Sequence, residues 1–460
     1  MMAPMLNRRT FLAAAGGSAF AQQSTRPPNV IIILADDLGY GDLGCYGSNL
    51  KTPNLDRMAR EGVRFLRYDS ANPVCSPSRA ALLTGRYPTR VGVLRVLFPY
   101  DKTGLPESEV TMAQMLKDRG YKTKCAGKWH LGHLPEFLPM KRGFDSYFGI
   151  PYSNDMNPRW LMRNEQVIEE QATLETLTPR YTDEAVKFIG ESKDAPFFLY
   201  MPHTYPHIPL APSAKFRGKS PQGIYGDVIE ELDWSAGEIF AALKKNGVDK
   251  NTLVMFSSDN GPWFQGSSGS LRGRKGNTWE GGVREPFLAW MPGRIPAGKV
   301  QSGWASAMDV FPTVAKLCGG QMKNPADGVD IWPLMTSASQ EVPREVVLYF
   351  DNIHMQCARL GNWKLHFSRY NSEVYSPAPQ GGRLNIMLKN PELYDLLADP
   401  AESYDAADKN PRIVADIQRR VDKLMAGFPE EIRKAWDEAK SRPASVAPAG
   451  AVSRAPAKPK

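Results

Sequence analysis

The chain has 460 residues, 42% of them hydrophobic and 23% charged, which is long enough for two cores and ordinary for a globular protein. Its formal charge of +8 sits mostly at the ends: +2 falls in residues 1–21 and +4 in residues 441–460, leaving +2 over residues 22–440. That distribution excludes a nucleic-acid surface as the reason for the charge, and no apolar run of the body is long enough for a membrane span.

In chain order, Asn7-Arg8-Arg9-Thr10-Phe11-Leu12 precedes an Ala/Gly-rich apolar run, and Ala19-Phe20-Ala21 offers a small-x-small cleavage site. Residues 1–21 are thus read as an export signal similar to bacterial twin-arginine leaders, with export machinery as partner and the periplasm or exterior as destination. Asn29-Val30-Ile31-Ile32-Ile33-Leu34-Ala35 is a continuous β-branched run, as expected of a strand buried on both faces. It ends in Asp36-Asp37. Residues 55–61 have helical spacing. Cys75-Ser76-Pro77-Ser78-Arg79 opens a short helix that Gly85 stops, placing Cys75 at a helix N-terminus, where free N–H groups favour negative charge.

Residues 112–118 and 228–244 predict two further helices. Residues 122–126, 196–201 and 252–256 predict three more strands. These are followed by Gly127-Lys128-Trp129-His130, by His203 and His207, and by Asp259-Asn260. Strands alternating with helices predict an α/β fold with a large, mostly parallel sheet sandwiched by helices. In such sheets ligands bind at the carboxyl ends of the strands, so two acidic and two basic clusters are expected in one crevice. Asp36, Asp37, Asp259 and Asn260 offer only hard oxygen ligands, a set suited to Ca²⁺ or Mg²⁺.

Residues 346–350, 355–360 and 363–367 predict a short antiparallel sheet, and Asn410-Pro411 is expected to cap a helix whose apolar stripe ends near Gly427. The expected domains are a signal over 1–21, a catalytic domain over 26–345, a smaller α+β subdomain over 346–441 and a disordered Ala/Pro/Ser-rich tail over 442–460. The cysteines at 45, 75, 125, 318 and 357 show no spacing of a disulfide framework or zinc site.

Cys75-x-Pro-Ser-Arg79 followed by Leu83-Thr84-Gly85-Arg86-Tyr87 resembles the signature of the type I sulfatases, in the alkaline phosphatase-like superfamily. Gly127-Lys128-Trp129-His130, the 271–286 segment around Lys275, and Glu392-Leu393-Tyr394-Asp395-Leu396 extend the resemblance over residues 28 to 430. Gly149 to Asp155 places it near the arylsulfatase A and N-acetylgalactosamine-6-sulfatase branch.

The resemblance implies that a maturation enzyme oxidises Cys75 to Cα-formylglycine, whose hydrated diol is the nucleophile. It implies one divalent ion, calcium ahead of magnesium, held by Asp36, Asp37, Asp259, Asn260 and residue 75. Arg79, Lys128 and Lys275 would bind sulfate, with Ser153 nearby. His207 would protonate the leaving alcohol and His130 would take the second hydroxyl proton. Four residues earlier, His203 competes for the role of His207. Glu280 and Arg284 read as structural, and Trp160, Trp263 and Trp279 as sugar-stacking surfaces or plain packing. His354 and Arg369 read as ordinary surface within reach of the substrate rim. The implied substrate is a sulfated carbohydrate or an aryl sulfate. A phosphoesterase or phosphonate monoester hydrolase of the same superfamily stays open, as does a silent glycan-binding homologue, although no site residue is missing.

Overall fold

The computed structural model describes residues 26–372 and 384–441; the expected leader over 1–21 and tail over 442–460 lie outside them. The larger sheet contains β1 (Asn29–Ala35), β2 (Val63–Asp69), β3 (Lys122–Ala126), β4 (Ser146–Gly149), β5 (Leu161–Arg163), β6 (Gln166–Glu169), β7 (Phe197–Pro202), β8 (Thr252–Ser258), β9 (Phe287–Trp290) and β10 (Lys299–Ser306). Their order is β10-β2-β9-β8-β1-β7-β3-β4-β5-β6. The five central strands β8, β1, β7, β3 and β4 are parallel, whereas β9 and β5 run against both of their neighbours.

Alternation along β1 explains why the sheet is covered twice. Val30, Ile32 and Leu34 join one core with Tyr200, Met255, Leu82, Leu116 and Phe311. Ile31 and Ile33 join the other with Leu199, Val254, Leu55, Tyr181, Leu232 and Ile239. The helices α1 (Pro53–Glu61), α2 (Cys75–Thr84), α3 (Met112–Lys117), α4 (Leu177–Ser192) and α5 (Gly223–Lys245) supply these partners, with α6 (Glu280–Val283), α7 (Val310–Leu317) and α8 (Trp332–Thr336) following. At the C-cap of α2, Gly85 has φ +69 and returns its N–H to Ala81 O, the left-handed stop that glycine supplies without strain.

The second sheet is antiparallel, in the order β11 (Val347–Asp351), β12 (His354–Leu360), β13 (Trp363–Tyr370) and β14 (Asn385–Asp395). The helices α9 (Pro411–Met425) and α10 (Glu430–Ser441) pack on it, with Ile417, Val421, Ile432 and Trp436 in one core with Leu348, Ala358, Leu365 and Leu393. β14 contains Pro391, and as an edge strand it tolerates the missing donor. Asn410 is the N-cap residue of α9 with Pro411 in its first turn, as expected, but its side chain does not close the cap and its amide donates to Ala406 O instead. No helix among the described residues is long and apolar enough to cross a membrane.

Candidate active site

The parallel order β8-β1-β7-β3 puts four carboxyl ends side by side, and backbone hydrogen bonds lace them past the last strand residues. Asp259 N–H donates to Ala35 O, His203 N–H to Leu34 O and Lys128 N–H to Pro202 O. The last contact depends on Gly127, where a Cβ would lie 1.8 Å from Pro202 O and φ is +142. Two site residues other than glycine, Asp37 (φ +65) and His130 (φ +58), hold left-handed backbone, a strain that persists only where surrounding contacts impose it.

Cys75 begins α2 and is 1% exposed. Its Sγ lies 3.6 Å from Asp36 Oδ1. One turn on, the fully buried Arg79 donates through Nε to Asp259 Oδ2 at 2.9 Å and through Nη1 to Lys128 O at 2.7 Å, and approaches Asp36 at 3.4 Å. Lys128 Nζ joins Asp36 Oδ2 to Ser153 Oγ. Lys275 Nζ sits 2.7 Å from Asp37 Oδ1, and Asn260 Nδ2 donates to the same oxygen at 2.8 Å.

The histidines are oriented by carbonyls, which only accept. His130 Nε2–H donates to Leu97 O at 2.9 Å, leaving Nδ1 buried with an unused lone pair. His207 Nδ1–H donates to Ile208 O at 2.6 Å, leaving Nε2 facing Asp37 Oδ2 at 3.7 Å. His203 points elsewhere, 3.4 Å from Ser235 Oγ and near the Tyr181 ring. Of the two candidates it is therefore His207 that meets the acidic cluster.

Burial pushes the Cys75 thiol up to about 12 even though Lys128 and Lys275 favour its thiolate. Burial would also raise Asp36, but Lys128 and Arg79 outweigh it and hold that carboxyl below the usual range. Asp259 goes the other way, to about 6, through burial and the neighbouring Asp36 charge, against Arg79. Both site histidines are pushed down by burial, His130 further by Lys128 and Arg79, His207 further by Lys275. Unmodified, Cys75 is thus a neutral thiol beside neutral imidazoles, the opposite of an activated cysteine pair.

The donor set fits a hard cation. Ligand atoms of Asp36, Cys75 and Asp259 all lie within 4.8 Å of one another, and so do those of Asp37, Cys75 and His207. Two oxygens on one Ca²⁺ at 2.3–2.6 Å stand no further apart than roughly 5 Å. Asn260 Oδ1 is buried without a hydrogen-bond partner, as expected of a carbonyl oxygen reserved for an ion.

Every residue expected at the site lies in this cluster or, for His130, against its rim at Leu97. The structure also reveals groups that periodicity gave no signal for. Leu97 O orients His130, and the Leu97 N–H is itself held by Ser76 Oγ at 3.1 Å. Glu280 and Arg284 pair with each other in a buried network with Lys364 and Arg359. Trp279 is packed, with His366 stacked on it at 4.2 Å and the Arg272 guanidinium 3.8 Å from its centre. Trp160 lies against Tyr152, and Trp263 against the exposed Phe264. Arg369 is tied to Glu392. The five cysteines are all free thiols.

The Sulfatase family matches residues 28–320, and the family described as the C-terminal region of aryl-sulfatase matches residues 342–451. The chain is 39% identical to arylsulfatase A of Homo sapiens over 442 residues, covering 86% of each chain. It is 41% identical over 394 residues to N-acetylgalactosamine-6-sulfatase of Canis lupus familiaris, covering 77% of this chain and 74% of that one. Among solved structures, a sulfatase from Pseudoalteromonas sp. superposes with a TM-score of 0.80 at 30% identity, covering 89% of this chain and 91% of that one.

Proposed function

This chain belongs to the sulfatase family and is a sulfuric ester hydrolase, and from that premise we propose that it cleaves a carbohydrate sulfate ester with a formylglycine made from Cys75 and a bound calcium ion. The observation that carries this reading is the closure of Asp36, Asp37, Asp259 and the orphaned Asn260 oxygen around a buried, unreactive Cys75. Aryl sulfates fit the same chemistry, and the sugar is favoured by the likeness to a relative named for N-acetylgalactosamine-6-sulfate.

Formylglycine would supply a hydrated aldehyde with two hydroxyls, one to attack sulfur and one to release the product, and the calcium ion would supply positive charge beside it. Asp36, Asp37, Asp259 and Asn260 would hold that ion. Arg79 fixes Asp36 and Asp259 in register and keeps the helix N-terminus beside them. Lys128 and Lys275 flank residue 75 and bind sulfate oxygens, where preorganised charge acts on the transition state. Ser153 steers Lys128 Nζ. His207 carries a proton at Nε2 to the departing oxygen, once an anionic sulfate beside Lys275 raises its affinity for that proton. His130 accepts a proton at Nδ1, which nothing else occupies.

Residues 26–345 then form the catalytic domain and 346–441 its subdomain. The arginine pair near the N-terminus supports export to the periplasm or exterior, and a formylglycine-generating enzyme is the implied maturation partner. The test compares the sulfate and phosphate esters of one aryl alcohol, each in chelator and after adding Ca²⁺ or Mg²⁺. The sulfate is expected to react faster, chelator to remove the activity and Ca²⁺ to restore it better than Mg²⁺. Faster phosphate cleavage would point to the phosphoesterase branch, and activity indifferent to chelator would remove the ion from the account.

A further inference from the structure

The segment that carries Lys275 is held at both ends by one residue from the other subdomain. Arg272 Nη1 donates to the Glu402 carbonyl at 3.1 Å, and the Glu280 N–H donates to Glu402 Oε2 at 2.6 Å. Glu402 lies 130 and 122 positions away in sequence. It is fully buried and holds φ +51, a left-handed conformation uncommon for glutamate. Its other oxygen, Oε1, accepts from His366 Nε2 at 2.7 Å and lies 3.4 Å from Lys364 Nζ, and His366 in turn stacks on Trp279. Lys364 also reaches Glu280 Oε1 at 2.9 Å.

A neck bond from Gly281 N–H to Arg272 O closes residues 272–281 into a loop. Two further backbone donors fix its interior, Lys275 N–H to Pro262 O and Gly276 N–H to Pro73 O. The second runs to the segment just ahead of Cys75. The neck and these two interior bonds are the backbone contacts that carry Lys275, whose Nζ stands 2.7 Å from Asp37 Oδ1. A backbone outlier that fastens both flanks of a site loop is strain over-determined by its contacts, the pattern found at functional sites.

We propose that Glu402 is a positioning residue: it clamps the loop 272–281 so that Lys275 stands beside Asp37 and residue 75 ready for the sulfate. The proposal rests on the reading of Lys275 as a sulfate-binding group. It is tested by a double-mutant cycle on the matured, calcium-loaded enzyme with para-nitrophenyl sulfate, using Lys275→Ala, Glu402→Ala and the pair. Residues that act as a unit are non-additive, with coupling equivalent to about 30-fold for a strongly linked pair.

Glu402→Ala is expected to lower kcat/KM about 30-fold when Lys275 is present and less than about 3-fold in the Lys275→Ala background. Glu402→Gln keeps an oxygen acceptor for the Glu280 N–H. It is expected to lose less than Glu402→Ala, and it takes that variant's place in the cycle if the alanine form does not fold. Equal losses in both backgrounds would mean a general structural role and overturn the proposal, while leaving the reading of Lys275 intact. An unchanged rate in Lys275→Ala alone would overturn that reading and this proposal with it.

Discussion

Replacing Cys75 by alanine is expected to abolish sulfate ester hydrolysis, lowering kcat by at least about 10⁴-fold, as loss of a covalent nucleophile does. The fold should survive, because the change removes a single Sγ at the first residue of α2, where alanine is a better helix former, and moves stability by no more than about 1 kcal/mol. The combination is the informative result. Cys75 is 1% exposed and its thiol is pushed up to about 12, so the unmodified side chain has almost no thiolate with which to act at neutral pH. Turnover with para-nitrophenyl sulfate, measured beside thermal unfolding, separates the two effects. Residual activity within about 10-fold of wild type would mean that residue 75 only lines the site.

Arg79→Ala is expected to destabilise the protein by about 3–5 kcal/mol, the usual consequence of removing one partner from a buried ion pair. Arg79 is fully buried, lies 2.8 Å from Asp259 and 3.4 Å from Asp36, and spends a third contact on Lys128 O. Without it Asp259, already pushed up to about 6 by burial and Asp36, loses the cation that favours its ionised form, and two carboxylates face each other with less compensation. Activity is expected to fall by roughly 10²-fold or more, since the carboxylates proposed to hold the ion lose the cation that keeps them in register. Arg79→Lys keeps the charge without the planar fork and should fall between the two. Urea unfolding monitored by far-UV circular dichroism gives the stability, and a loss below about 1 kcal/mol would show that the pairs contribute little.

How far the chain can be read before folding depends on where the determining contacts lie. β1 agrees to the residue with its apolar run, because a strand buried on both faces leaves no ambiguity of period, and the bounds of β3 agree as well although its run is weaker and begins with the exposed Lys122. The short strands β4, β5 and β6 have no such run, β9 is apolar but only four residues long, and β2 carries Arg64, Arg67 and Asp69 among its apolar residues. In the site, Asp36, Asp37, Lys128, His207, Asp259 and Asn260 were legible because parallel strands deliver their ends to one edge. Leu97 and Glu402 were not. One acts through its backbone carbonyl, which any residue could supply, and the other sits in an Asp-Pro-Ala-Glu turn that reads as surface yet is buried by a distant loop.

The chemical state of residue 75 decides whether the formylglycine chemistry operates, and mass spectrometry of the tryptic peptide spanning residues 68–79, from protein produced in its native host, reads that state. This peptide is expected to carry the mass of the aldehyde form and to react with a hydrazide reagent in step with the specific activity of the preparation. Full activity in a preparation whose peptide carries only the cysteine mass would contradict that chemistry.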